Sequence, residues 1–208
     1  MSPVHGMNLF PIFLKLSGRR CVVIGGGAVG EGKIASLLDA EAETAVVAPA
    51  VTGKVMEWAS AAKLTWLARR FSPADLDGAL LVVAATSSQE VNELVFHEAR
   101  RRGVLCNAVD QPEQCDFYYP AVLRRGQLQI AISTGGLSPA LAQRLRQELE
   151  QQFAPEYGAW LEALAERRRH LIRTPMDESQ RHRWLHRLAS RESFESFVQP
   201  GPAGGASA

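Results

Sequence analysis

The stretch Cys21-Val22-Val23-Ile24-Gly25-Gly26-Gly27-Ala28-Val29-Gly30 decides the fold. Its first four residues are apolar and predict a strand, and Gly25, Gly27 and Gly30 then follow with G-x-G-x-x-G spacing. Residues 31–38 carry apolar side chains at helical spacing. A strand, a glycine turn and a helix in this order are what a dinucleotide-binding fingerprint requires.

Each glycine of this fingerprint has a different physical role. Gly25 permits the tight turn, Gly27 lets the backbone approach a pyrophosphate, and Gly30 allows the helix to pack closely on the strand. The pyrophosphate would lie on unpaired N–H groups at the positive end of the helix. The alternative is that the glycines only make a tight turn. The predicted cofactor is NAD, and the residues predicted here to bind it are Gly25, Gly26, Gly27, Ala28, Val29 and Gly30.

One feature of an NAD-binding fold is missing from the sequence. About 20 residues past the glycines, such a fold offers an acidic residue to the ribose. The second predicted strand, 44–47, is instead followed by Ala48-Pro49-Ala50. No arginine stands there to hold a 2′-phosphate, although Lys54 is close in sequence. The ribose contact is therefore unassigned.

Composition excludes several classes of protein. The 208 residues are 46% hydrophobic and 22% charged, which is typical of a globular protein with one large domain or two modest ones. A net charge of +1 provides no overall attraction to nucleic acid or membrane. No signal peptide or bilayer-spanning run is visible, so the expected location is the cytoplasm. Three cysteines suit neither a metal cage nor a disulfide framework, and Cys21 and Cys106 are expected to be buried, inert thiols.

Strands and helices alternate as far as Asp110. Apolar residues 80–85 predict a central parallel strand that is buried on both faces. Thr86 follows this strand at the sheet edge where ligands bind, so it is predicted either to contact the cofactor or to cap the next helix. Phe10-Pro11-Ile12-Phe13 is expected to pack as core beside the sheet.

The pattern changes after Asp110. Residues 116–123 and 128–133 predict a hairpin, and a helix over 140–153 follows Ser138-Pro139. Basic helices are then predicted over 157–173 and 178–191. Four aromatic residues are expected to form a small core in this region, namely Trp160, Trp184, Phe194 and Phe197.

Several motifs together resemble one family, the precorrin-2 dehydrogenases and sirohydrochlorin ferrochelatases of sirohaem biosynthesis. The resemblance covers roughly residues 8–190 and is to the free-standing form or to the amino-terminal part of the fused sirohaem synthases, without their methyltransferase domain. The matching stretches are Phe10-Pro11-Ile12-Phe13, Val23-Ile24-Gly25-Gly26-Gly27, Val47-Ala48-Pro49, Ala84-Ala85-Thr86 with Asn92, Asn107-Ala108-Val109-Asp110 and Ser133-Thr134-Gly135-Gly136-Leu137-Ser138-Pro139. The resemblance adds Ala48 and Pro49 to the cofactor-binding residues, since this family ends its second strand without a carboxylate.

The resemblance implies an α/β fold: a Rossmann-like doubly wound parallel sheet, a small α+β dimerisation region and a helical carboxy-terminal domain. The implied divisions are an NAD-binding domain over 1–114, dimerisation over 115–150, a helical substrate-cleft domain over 151–199 and a disordered tail over 200–208. The implied protein is a homodimer that oxidises precorrin-2 to sirohydrochlorin with NAD. Insertion of Fe²⁺ to give sirohaem, a lyase step, is the second activity of bifunctional members.

Asp110 corresponds to the catalytic aspartate of the family's N-x-V-D motif. A carboxylate at this strand end can act as general base for loss of a pyrrole or ring-carbon proton. The competing interpretation is a strand-end aspartate that caps the turn before Pro112. Asn107 is expected to support the strand end rather than to take part in the chemistry.

The substrate carries many carboxylates, which hydroxyls, free N–H groups and arginine forks can bind. The predicted substrate-binding residues are Ser133, Thr134, Gly135 and Gly136. Between Arg167 and Arg191 stand eight arginines, of which only a minority are expected to touch substrate. His182 and His186 are spaced i, i+4, but no third ligand is evident and no resident metal is predicted.

A function of another class is also compatible with the glycine motif. An NAD(H)-sensing Rossmann module could use its basic helices to bind a partner or nucleic acid. That hypothesis leaves the motifs around Asp110 and over 133–139 unexplained, and no helix-turn-helix pattern is clear. A dehydrogenase for another small substrate also fits the glycine loop.

Overall fold

The structure, a computed structural model, describes residues 8–199. These form two compact units, 8–119 and 120–199. The terminal segments 1–7 and 200–208, expected from the sequence to be a loose tail and a disordered tail, lie outside the described residues.

The first unit is a parallel five-stranded sheet with the strand order β3-β2-β1-β4-β5. Its strands are β1 Arg20–Gly26, β2 Glu43–Val51, β3 Thr65–Leu67, β4 Leu81–Ala84 and β5 Leu105–Ala108. Its helices are α1 Ala28–Asp39, α2 Gly53–Ser60 and α3 Gln89–Arg102, with short 3₁₀ turns at Pro73–Leu76 and Pro112–Gln114. The strand order reverses at β1, as in a doubly wound sheet.

Both faces of this sheet are covered, because alternate side chains of each strand point to opposite faces. Val23 and Val46 belong to one buried cluster with Ile34 of α1. Val22 and Val82 belong to the other with Val95 of α3. This explains why the central strands are apolar throughout, and it confirms the predicted Rossmann-like sheet.

The second unit begins with an antiparallel hairpin and continues as helices. Its elements are β6 Ala121–Arg125, β7 Leu128–Ile132, α4 Pro139–Gln152, α5 Tyr157–Arg173, α6 Glu178–Leu188 and α7 Arg191–Val198. The Arg125 guanidinium donates to the carbonyls of Phe153 at 2.8 Å and Glu150 at 3.1 Å, which ties the hairpin to the end of α4. The helical carboxy-terminal region is therefore present as predicted.

The aromatic core of the second unit differs from the prediction. Tyr157 stacks on Phe194 with ring centroids 4.0 Å apart, and Trp160 packs edge-on against both rings. Trp184 and Phe197, however, are 48% and 37% exposed, so their predicted place in the core is wrong. Both lie on short amphipathic helices, on which sequence alone does not distinguish half-exposed apolar positions from buried ones.

Three other expectations about the elements are corrected. Phe10-Pro11-Ile12-Phe13 is not core, because Phe10 is 84% exposed on an extended segment that belongs to none of the strands. The strand expected over 116–123 begins only at Ala121, directly after Pro120, which has no N–H for a ladder. The helix expected over 178–191 ends at Leu188, because Ser190 caps a separate helix by accepting from Ser193 N at 3.2 Å.

Candidate functional site

Two glycines of the fingerprint are required by close backbone packing. A Cβ on Gly25 would lie 2.4 Å from the Ala85 carbonyl oxygen, and φ of Gly25 is +108°. A Cβ on Gly30 would lie 2.5 Å from the carbonyl oxygen of Gly25. A larger side chain at either position would push the turn, the helix and the end of β4 apart.

Gly27 lies in different surroundings. It is the N-cap residue of α1, is exposed, and has nothing within 4 Å of a built Cβ. No side chain caps this helix end, so its first N–H groups are free to meet a ligand. Open space above a bare helix amino terminus fits the pyrophosphate of a dinucleotide, which the residues Gly27, Ala28 and Val29 would hold.

The chain just after β2 is joined to the first turn of α1 by a side-chain hydrogen bond. After a bulge, Val51 pairs with Gly26, and Thr52 N donates to the Gly26 carbonyl at 2.9 Å. The Thr52 hydroxyl donates to Glu31 of α1 at 2.6 Å. Glu31 stands directly after the glycines, whereas the acid of an NAD-binding fold is expected about 20 residues past them. Ala48 and Pro49 lie within this bulge, between Val47 and Val51, and Trp66 Nε1 donates to the Ala48 carbonyl at 3.0 Å.

Thr86 lies where the sequence predicted, at the carboxyl end of β4. Its hydroxyl donates to the Asn92 Oδ1 at 2.8 Å, and Asn92 Nδ2 donates back to the Thr86 carbonyl at 3.2 Å. The cap of α3 is Ser88 rather than Thr86, since Ser88 Oγ accepts from Val91 N. The buried amide of Asn92 therefore fixes Thr86 directly beside Gly25.

Asp110 follows β5 at the same edge of the sheet. It is exposed and has φ of +61°, in the left-handed region that few side chains adopt. Cys115 Sγ lies 3.2 Å from the Ala108 carbonyl and 3.3 Å from the Gln111 carbonyl, so it spans the turn. Asn107 Nδ2 donates to the Phe117 carbonyl at 2.8 Å, a supporting role as expected. The first unit thus brings Gly25, Thr86 and Asp110 to one sheet edge, because β1, β4 and β5 are parallel neighbours.

Lys33 of α1 is half-buried, although no sequence motif singles it out. Its Nζ lies 3.5 Å from the centroid of the Tyr119 ring. Burial lowers the pKa of Lys33, and the charges of Cys115 and Asp110 oppose this in part. The sequence contains only one indication of the place of Lys33, which is its position on a helix face between apolar residues.

The cysteines of the strands are poor nucleophiles. Burial raises the pKa of Cys21 to about 11 and that of Cys106 to about 12. At neutral pH both remain thiols, which confirms that they are buried and inert.

The 133–136 loop belongs to the second unit, between β7 and α4. Gly135 N donates to Ser133 Oγ at 3.1 Å, and Ser138 N donates to Thr134 Oγ1 at 3.2 Å. Gly135 and Gly136 have φ of +60° and +80°. The two hydroxyls therefore shape the loop by accepting hydrogen bonds from its backbone, and the left-handed conformation at two successive positions explains why glycines stand there.

The helices carry the remaining basic and histidine residues. His182 and His186 face each other with their Nε2 atoms 3.1 Å apart, and both are exposed. Over 8–199 no group of three or more His, Cys, Asp or Glu side chains could hold a metal ion. A groove of about 430 Å³ between α5 and α6 is lined by Glu166, Arg167, His170, Leu171, Trp184 and Leu188. None of the helices described is long and apolar enough to cross a membrane.

Comparison with known proteins agrees with this geometry. A family model described as putative NAD(P)-binding matches residues 12–121, and one described as sirohaem biosynthesis protein central matches 125–152. Siroheme synthase 1 of Aeromonas hydrophila is 39% identical over 94% of this chain. The chain belongs to the precorrin-2 dehydrogenase and sirohaem synthase family.

Within this family the chain matches proteins of different lengths. It spans 42% of the Aeromonas synthase and 32% of the siroheme synthase of Nitrosococcus oceani, to which it is 41% identical over 73% of its own length. The solved structure of SirC, precorrin-2 dehydrogenase, matches with a TM-score of 0.80 and 28% identity, covering 92% of this chain and 94% of that one. The first unit is therefore an NAD-binding domain, as the glycine loop predicted.

Proposed function

We propose that this chain oxidises precorrin-2 to sirohydrochlorin with NAD in sirohaem biosynthesis. The observation that carries the proposal is the sheet edge of the first unit, where the neighbouring strands β1, β4 and β5 end. The bare amino terminus of α1 follows β1, Thr86 follows β4, and the exposed carboxylate of Asp110 follows β5. Membership of the precorrin-2 dehydrogenase and sirohaem synthase family supplies the substrate class.

The proposed chemistry needs one acceptor for a hydride and one for a proton. NAD, when bound, would supply the acceptor for a hydride from a carbon–hydrogen bond of the reduced macrocycle. The proton that leaves with it is transferred to the carboxylate of Asp110, which acts as general base. Gly27, Ala28, Val29 and Thr86 position the cofactor, and the product gains one double bond.

The second unit is proposed to bind the carboxylates of the substrate. The hydroxyls of Ser133 and Thr134, the backbone of Gly135 and Gly136 and a minority of the arginines over 167–191 are proposed to bind them. We further propose a homodimer, with residues 115–150 forming its contacts, and a location in the cytoplasm. We also propose that the chain inserts Fe²⁺ as a substrate, with Asp110 accepting the displaced pyrrole protons.

The test is anaerobic incubation of the purified protein with precorrin-2 and NAD, followed by absorbance. We expect NADH and sirohydrochlorin to appear together. Asp110→Asn is the matched variant, because asparagine tolerates the left-handed backbone of this turn whereas alanine would add strain. Loss of the general base should slow oxidation by about 10²–10⁴-fold with unchanged thermal stability.

Two results would contradict the proposal. If wild-type protein binds NAD but forms no NADH from precorrin-2, the substrate is different. If Asp110→Asn retains full activity, another group accepts the proton. Adding Fe²⁺ afterwards separates the two activities, because a dehydrogenase alone leaves metal insertion at its spontaneous rate.

A further inference from the structure

The segment that follows β2 lies beside the glycine loop. Val51 pairs with Gly26, and Thr52 N donates to the Gly26 carbonyl at 2.9 Å. Glu31 N donates to the Gly27 carbonyl at 2.9 Å and so belongs to the first turn of α1. Thr52 and Glu31 are therefore both bonded through their backbones to the loop that offers open space for a pyrophosphate.

The side chains of these two residues are joined to each other. The Thr52 hydroxyl donates to Glu31 Oε2 at 2.6 Å and accepts from Val55 N at 3.3 Å, so it is held both as a donor and as an acceptor. Both side chains are half-buried. Within residues 8–199 no hydrogen bond reaches Glu31 Oε1, which leaves this oxygen able to accept one from a ligand.

Thr52 stands where a dinucleotide-binding fold recognises the ribose. That position is at the end of the second strand, about 20 residues past the glycines, and an acid there accepts a hydrogen bond from the ribose 2′-hydroxyl. Thr52 directly follows β2 and has no carboxylate of its own, but it holds the carboxylate of Glu31. The acid that β2 lacks is therefore supplied from α1.

The lysines closest in sequence to this pair are engaged elsewhere. Lys54 Nζ lies 2.9 Å from Glu57 Oε2. Lys33 Nζ lies over the Tyr119 ring, 3.5 Å from its centroid. Binding of NADP requires a cation for the 2′-phosphate, and neither ammonium is free to provide it.

We propose that Glu31, held by Thr52, binds the adenosine ribose of the cofactor and makes the site prefer NAD to NADP. The carboxylate accepts a hydrogen bond from the 2′-hydroxyl of NAD. NADP has a phosphate in place of the hydrogen of that hydroxyl, so it offers no donor there and its negative charge is repelled. The inference rests on the binding of NAD by the first unit and is independent of which substrate is oxidised.

The test measures the binding of both cofactors by calorimetric titration of the purified protein without substrate. We expect wild type to bind NAD more tightly than NADP, and Glu31→Gln to reduce the ratio of the two dissociation constants by about tenfold or more. Glutamine keeps an oxygen that can accept from Thr52 and from the ribose, so NAD should still bind. The matched control is Glu43→Gln, which removes one exposed carboxylate at the opposite end of β2 and should leave the ratio unchanged.

A second ligand tests the hydrogen bond on the wild-type protein alone. An NAD analogue that lacks the 2′-hydroxyl of the adenosine ribose should bind about ten- to a hundredfold more weakly than NAD. Equal affinities for NAD and this analogue, equal affinities for NAD and NADP, or binding of neither cofactor would each overturn the inference, as would an unchanged ratio in Glu31→Gln. None of these measurements involves precorrin-2, so failure to oxidise it would overturn the proposed function and leave the role of Glu31 standing.

Discussion

At the scale of single residues, the glycine loop contains two kinds of glycine, and we predict opposite effects of substituting them by alanine. We expect Gly25→Ala to destabilise the first unit by at least about 1–3 kcal/mol, because a Cβ meets the Ala85 carbonyl and the backbone is left-handed. Gly27→Ala should leave the melting temperature nearly unchanged but weaken NAD binding, because its Cβ enters open space where the cofactor approaches.

Thermal unfolding and titration with NAD measure these two effects separately. Equal losses of stability in Gly25→Ala and Gly27→Ala would contradict the distinction between a packing glycine and a ligand-facing glycine. An unchanged affinity for NAD in Gly27→Ala would show that the pyrophosphate does not approach the backbone there.

A buried carboxylate makes the stability of the first unit depend on pH. Asp75 is 4% exposed and accepts hydrogen bonds from Arg69 Nη1 at 2.9 Å and Ser72 N at 2.8 Å. Burial by itself raises the pKa of Asp75, but the bonds from Arg69 and Ser72 outweigh it and the pKa is lowered. A lowered folded-state pKa stabilises the fold above the unfolded value of about 3.9.

That contribution is therefore present at neutral pH and is lost as the pH falls below about 4 through the folded-state pKa. We expect Asp75→Asn to cost about 1–3 kcal/mol at pH 7. The difference from wild type should shrink on acidification, as measured by urea unfolding between pH 7 and pH 3. A difference that stays constant with pH would show that lost packing, not lost charge, is responsible.

At the scale of elements, Arg125 connects the hairpin to the helices of the second unit. It donates to the carbonyls at the end of α4, which have no partner within the helix. Arg125→Met should destabilise the second unit by about 1–3 kcal/mol and leave affinity for NAD unchanged. Hydrogen exchange resolved by peptide measures this, with increased exchange expected over 121–152 and not over 20–60.

The extent to which elements could be predicted depended on what kind of signal each one had. Tyr157–Arg173 was predicted with its observed bounds, because Thr174-Pro175 marks its end and its apolar residues recur at helical spacing. The break at Ser190 was missed, since arginines continue across it without a change in composition. Because polar residues stand on both sides of Ser190, composition does not reveal the helix boundary that the Ser190 hydroxyl creates.

The kind of sequence signal also decided which residues of the site could be predicted. The glycine loop, Thr86 and Asp110 could be placed at one sheet edge because parallel strands end on the same side. The contacts of Lys33 with Tyr119 and of Glu31 with Thr52 could not be predicted, because they depend on which way α1 turns its polar positions. The prediction that Phe10 and Ile12 are buried was wrong for another reason. Apolar composition predicts burial only where a surface exists to cover the residue.

At the scale of the whole molecule, the proposed homodimer makes a simple prediction. Sedimentation equilibrium should give twice the chain mass of 22.7 kDa at micromolar concentration. The two subunits of a homodimer contribute the same surface to their interface. A charged residue introduced at the centre of that interface therefore occurs on both sides of it. A monomeric mass throughout the micromolar range would contradict the proposed dimerisation region over 115–150.

The central place of β1 in the sheet has a consequence for synthesis on the ribosome. Residues 20–26 leave the ribosome first among the strands, yet β1 pairs on one side with β4, which ends about sixty residues later. Until β4 emerges, the apolar β1 has an open edge, and closure of the sheet depends on contacts between distant residues. Nascent chains stalled before Leu81 should therefore be sensitive to protease and should bind chaperones, whereas chains extended beyond Ala108 should fold the first unit.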